Sequence, residues 1–134
     1  MRYLLDTNVF IAAMKGVSPV RERLGVVSSS DIVLSPIVLG ELEYGVYKSA
    51  HREANAQRLE VAVSLLELVP LDTTAARQYG EIRAGLESIG RPIGSNDLWI
   101  AAQALAIGAT LVTDNTEEFT RIRGLRLENW LRST

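Results

Sequence analysis

Four short, largely apolar runs, Met1–Leu5, Asp31–Leu34, Leu68–Leu71 and Thr110–Thr113, punctuate this chain, with helix-patterned stretches between them. Apolar runs of that length are characteristic of strands buried on both faces. Strands alternating with helices build βαβ units, and right-handed crossovers set helices on both sides of the sheet. The expected fold class is therefore α/β. It would be a single domain over residues 1–134, with a short, mainly parallel sheet of four or five strands sandwiched by helices.

Local signals place the helices. Val9–Met14 follows the first strand, and Ser18-Pro19 opens a second helical stretch to about Val27. Ser35-Pro36 combines a cap with a proline suited to a first turn, and starts a helix reaching about Ser49. Arg52–Glu67 carries Leu59, Ala62, Val63 and Leu66 at helical spacing. Asp72-Thr73-Thr74 caps a helix to about Ile89, and Gly90–Gly94 is a loop. From Ser95-Asn96-Asp97 to Ile107 the pattern is apolar almost all round, so this helix belongs in the middle of the fold, and Gly108 ends it. Asp114-Asn115-Thr116 caps a short helix, Glu117–Ile122, before a last extended piece near Leu125–Leu127.

Composition excludes several chemistries. With no cysteine there is neither a disulfide nor a thiolate site. No apolar run reaches the roughly 18 residues of a membrane span, and Asp6 breaks the first run too early for a secretory leader. A cytoplasmic protein is expected. The net charge of −2 argues at first sight against nucleic acid, but distribution matters more than the total. Four carboxylates taken up by a cation would reverse the sign of the remainder.

Four acids stand where ligand sites form. Asp6 and Asp114 each follow a buried strand, Asp97 begins the most apolar helix, and parallel sheets gather their ligands at that carboxyl edge. Glu41 lies inside an apolar helix with Gly45 four residues on, a costly place for an unpaired charge. Converging carboxylates repel unless a cation compensates. Oxygen donors with a single histidine in the chain favour Mg²⁺, with Mn²⁺ as a substitute, over zinc. Phosphodiester hydrolysis is the chemistry such sites perform without serine or histidine. Each aspartate is also a good helix cap. For the first helix Thr7 and Asn8 are expected to take that role, which would free Asp6 for metal.

The blocks Leu4–Asn8, Ser35–Gly45, Ser95–Ala101 and Val112–Asn115 resemble, in order and spacing, the successive signatures of PIN-domain ribonucleases. Over nearly the full length, including Leu127-Glu128-Asn129-Trp130, the chain is similar to the VapC-like toxins of bacterial toxin–antitoxin pairs. The resemblance implies a catalytic set of Asp6, Glu41, Asp97 and Asp114, with Asp6 and Asp97 as the Mg²⁺ ligands. Glu41 is preferred to Glu43 because the family glutamate sits four residues before the Tyr-Gly glycine. It also implies cleavage of single-stranded or loop RNA, often tRNA, a small antitoxin that blocks the acidic site, and a homodimer.

Other classes fit less well. A haloacid-type phosphatase wants an aspartate where Asn8 stands, and a receiver wants a late lysine, whereas the lysines are Lys15 and Lys48. A solitary PIN-domain nuclease and a non-catalytic module on the same fold remain as alternatives. Thr7, Thr113, Asn115, Glu117 and Glu118 neighbour the acids as candidate assistants. Arg83, Arg91 and Arg121 are expected on the surface, His51 in a turn and Trp99 in the core.

Overall fold

A computed structural model describes residues 1–132, so the last two residues of the expected 1–134 domain lie outside the described range. All strand pairings are parallel. β1 (Tyr3–Leu5) lies between β2 (Ile32–Leu34) and β4 (Thr110–Val112). β3 (Glu67–Leu68) extends the sheet beyond β2, and β5 (Leu127–Glu128) extends it beyond β4. The order β3-β2-β1-β4-β5 changes direction between β1 and β4, which is where open α/β sheets leave a crevice at their carboxyl ends. Leu5 is in register with Val112, so the residues that follow, Asp6 and Thr113, emerge side by side at that crevice.

Among the described residues seven α-helices enclose the sheet: α1 (Thr7–Lys15), α2 (Ser18–Leu24), α3 (Pro36–Lys48), α4 (Arg52–Ser64), α5 (Thr73–Ser88), α6 (Ser95–Ile107) and α7 (Thr116–Phe119). Covered on both faces, β1, β2 and β4 bury Leu4, Val33, Leu111 and Val112 almost completely. In α6 a continuous buried run, Ile100–Ala104, meets the sheet and α5, as its all-round apolar pattern requires. Gly108 closes α6 in the left-handed conformation at φ 69°, where a side chain would be strained.

The expected boundaries shift where backbone chemistry intervenes. The third strand is Glu67–Leu68 rather than Leu68–Leu71. Val69 donates the last rung to Leu34 O, and Pro70, lacking an N–H, cannot continue the ladder. α2 stops at Leu24 and α4 at Ser64, each a few residues short of expectation. Ser35, fully buried, caps α3 by accepting the Ile37 N–H at 3.1 Å. Asp72 caps α5 through the Ala75 N–H at 3.0 Å.

Candidate active site

Asp6 sits at the switch point between β1 and β4, and both of its carboxylate oxygens are engaged. Oδ1 accepts the Thr7 N–H at 2.8 Å, and Oδ2 accepts the Thr113 hydroxyl at 2.9 Å. Its own backbone N–H donates to Val112 O at 2.8 Å. Asp6 is therefore itself the cap of α1, and the expected division of labour with Thr7 and Asn8 does not hold. Asn8 is exposed inside the helix. Capping and ligand binding are compatible, because each carboxylate oxygen keeps a second lone pair.

Thr7 serves the next acid instead. Its hydroxyl donates to Glu41 Oε1 at 3.0 Å, tying α1 to α3. Glu41 is half-buried whereas Glu43 is exposed, so packing separates the two glutamates that spacing left in competition. No atom lies within 4 Å of a Cβ built at Gly40 or Gly45, which leaves open space on either side of Glu41 along α3.

Asp97, in the first turn of α6, shows that these carboxylates share one field. Its pKa is pushed up from 3.8 to about 7, first by burial, then by a hydrogen bond with Glu118, and then by the charges of Asp6, Glu118 and Glu41. A hydrogen bond between two carboxyls requires one of them to be protonated, so Glu118 and burial both favour the neutral form of Asp97. Glu118 Oε1 is buried and meets no protein donor. The four acids brought together are thus Asp6, Glu41, Asp97 and Glu118.

Asp114, expected in this group, is not placed there. Along the extended exit from β4 successive side chains alternate in direction, so Thr113 takes the inward place beside Asp6 and Asp114 turns away. The Asp114 carboxylate accepts Asn129 Nδ2 at 3.0 Å and Arg132 Nε at 2.9 Å. These two partners, Asn129 first, hold its pKa below the usual carboxylate value. The Thr113 hydroxyl, fully buried, also accepts the Asn115 N–H at 3.0 Å, turning the chain into α7 and bringing Glu118 forward. Glu118 stood in the sequence only as one of several candidate assistants. The signal for it was its place in the first turn of the short helix that follows β4.

Thr113 therefore orients both Asp6 and the α7 turn. Thr113→Val keeps the shape but removes the hydroxyl, and cleavage is expected to fall about 10- to 100-fold, with Thr113→Ser restoring most of it. Comparing rates and thermal melts of the two variants checks this.

Trp99 is half-buried and stacks on Tyr79 with ring centroids 4.0 Å apart, so it packs α6 on α5. His51 is exposed and makes no side-chain cap bond. The donor set suits a hard divalent ion: oxygen only, multiply acidic, and electrostatically strained without a cation. Among the described residues no three acids already surround a common point, and the raised pKa of Asp97 marks where a cation's charge would compensate them.

The PIN domain family profile matches residues 3–125. The chain is 44% identical over 132 residues to Ribonuclease VapC2 of Rickettsia felis, covering 97% of this chain and 98% of that one. It is 40% identical over 131 residues to the tRNA(fMet)-specific endonuclease VapC of Shigella flexneri, with the same coverage. Its fold superimposes on VapBC2 of Rickettsia felis, solved bound to a promoter DNA fragment, with a TM-score of 0.91 at 43% identity, over 97% of this chain and 99% of that one. For DNA-bound VapBC of Salmonella typhimurium the TM-score is 0.90 at 40% identity, over 97% and 98%. The chain belongs to the PIN-domain family and, within it, to the VapC ribonucleases of VapBC toxin–antitoxin pairs.

Proposed function

We propose that this VapC ribonuclease is a Mg²⁺-dependent endoribonuclease acting in the cytoplasm as a homodimer, with Asp6, Glu41, Asp97 and Glu118 as its acidic site. Asp6 and Asp97 are the direct metal ligands, and Glu41 and Glu118 complete the negative pocket. What supports this reading is geometry at one crevice, where Thr113 holds Asp6 and Thr7 holds Glu41, together with the raised pKa of Asp97 that burial, Glu118, Asp6 and Glu41 produce. A divalent ion bound there would lower the pKa of an attacking water and neutralise charge on the scissile phosphate. The chain's own residues supply orientation. Thr113 and the Thr7 N–H fix the Asp6 carboxylate, the Thr7 hydroxyl fixes Glu41, and Asp97, whose pKa is raised, would give up its proton to solvent as the site takes a cation.

RNA is the substrate, with tRNA the first to try because the Shigella relative is named for tRNA(fMet). A groove of about 1020 Å³ between α1, α3 and α4, lined by Ile11, Met14, Leu42 and Val61, opens onto Glu41. An apolar antitoxin segment lying there would bring a basic side chain to the acids and block them. The test is cleavage of tRNA(fMet) and of unstructured RNA by the purified protein. Cleavage is expected with Mg²⁺, none with EDTA, and recovery when Mg²⁺ is restored. Full-rate cleavage in EDTA would overturn the assignment.

A further inference from the structure

On the other side of Glu41 from the apolar groove lies a smaller cleft of about 330 Å³, lined by Pro36, Ile37, Gly40, Glu41, Tyr44 and Asn96. Its composition differs from that of the groove. Tyr44, one turn beyond Glu41 on α3, is 63% exposed. The amide of Asn96 belongs to the residue immediately before Asp97, so both lips of the cleft adjoin acids of the site. Lys48 Nζ lies over the Tyr44 ring, 5.7 Å from its centroid. At Gly40 a Cβ would meet nothing within 4 Å, so the α3 backbone leaves the cleft open to a flat group.

An aromatic face, an amide with both donor and acceptor, and a nearby cation are what a single-stranded nucleotide requires. The ring stacks a base, the amide hydrogen-bonds its edge, and the ammonium meets a phosphate. From this juxtaposition we infer that the Tyr44–Asn96 cleft binds an unpaired nucleobase of the RNA, next to the phosphate presented to the acids, with Tyr44 as the stacking platform. The inference rests on the nuclease assignment above and adds the residues that grip the substrate. It makes cleavage selective for unpaired RNA, because a base held in a duplex cannot present its face to Tyr44. The Lys48 ammonium also offsets the repulsion that the four acids exert on the incoming backbone.

The experiment measures binding in EDTA, so that it does not depend on cleavage. The probe is a fluorescently labelled single-stranded RNA oligonucleotide of mixed sequence, with its duplex as comparison. Tyr44→Ala is expected to weaken single-strand binding about 5- to 100-fold, the loss typical of one base–aromatic stack. Tyr44→Phe is expected to bind as the native protein does, and duplex binding should not change in either. Tyr44→Trp should show emission quenched by the oligonucleotide beyond any change from Trp99 and Trp130. Gly40→Leu provides an opposed control: it should make α3 more stable and yet weaken the oligonucleotide by filling the cleft. Native affinity in Tyr44→Ala, or no added quenching in Tyr44→Trp, would overturn the inference. If Tyr44→Ala lost only antitoxin inhibition and kept RNA affinity, the cleft would be a protein contact and the inference would again fall. Quenching with no cleavage under any metal would overturn the nuclease assignment and leave the base site standing.

Discussion

Asp97→Asn is expected to reduce RNA cleavage by at least about a hundredfold, since even partners that only support a metal ligand are typically worth 10- to 100-fold. The same variant should be more stable than the native protein when metal is absent. The folded state holds Asp97 protonated up to about pH 7, whereas an unfolded chain releases that proton near 3.8. Between those values the folded state binds more protons, so this group's contribution lowers stability as pH rises through the window, with the full penalty present above about pH 7. Replacing the carboxyl by an amide removes the penalty. The gain should be about 1–2 kcal/mol at pH 8, well below a full conversion of the shift, because the half-buried side chain is partly screened by solvent. Chemical denaturation in EDTA across that pH range, run beside a cleavage assay, measures both effects. A variant that loses activity by unfolding would show the opposite change in stability.

Glu118→Gln and Asp114→Asn form the second expectation, because they separate the geometric reading of the site from the sequence reading. Glu118→Gln should lower cleavage at least about tenfold and bring Asp97 back toward an ordinary carboxylate, since it removes a neighbouring charge and supplies an amide N–H that can donate to the ionised form. Asp114→Asn should leave the cleavage rate within about twofold. Its cost falls on the contacts with Asn129 and Arg132, which are exposed to solvent and screened, so the melting temperature should change little. Side-by-side rates and melting temperatures decide between them. Equal loss of activity in both variants would show that Asp114 acts at the site as well.

The sheet and the positions of Asp6, Glu41 and Asp97 at its carboxyl edge were legible in the sequence because each rests on a local rule. Buried strands declare themselves as short apolar runs, Ser35-Pro36 and Gly108 mark helix ends, and Asp6 and Asp97 stand directly at a strand end and a helix start. Glu41 was legible as a charge in an apolar helix, and its rivalry with Glu43 needed only the direction of the buried face. That Glu118 rather than Asp114 comes up to Asp97 was not legible, because both follow β4. Choosing between them depends on the alternation at Thr113 and on the turn that the Thr113 hydroxyl holds. The double duty of Asp6 was hidden for a related reason: whether a carboxylate caps or binds is decided by which oxygen meets which donor, and one side chain can do both.

Binding of a divalent ion to the four acids is tested most directly by titrating Mn²⁺, a spectroscopic substitute for Mg²⁺, into the native protein and into Asp97→Asn at about pH 6 and about pH 8. The native protein should bind more tightly at the higher pH and release protons to solvent at the lower one, as the cation displaces the proton held by Asp97. Asp97→Asn should bind far more weakly and lose most of the proton release. Equal Mn²⁺ affinity in the two proteins, or affinity that does not change across this pH range, would contradict the account.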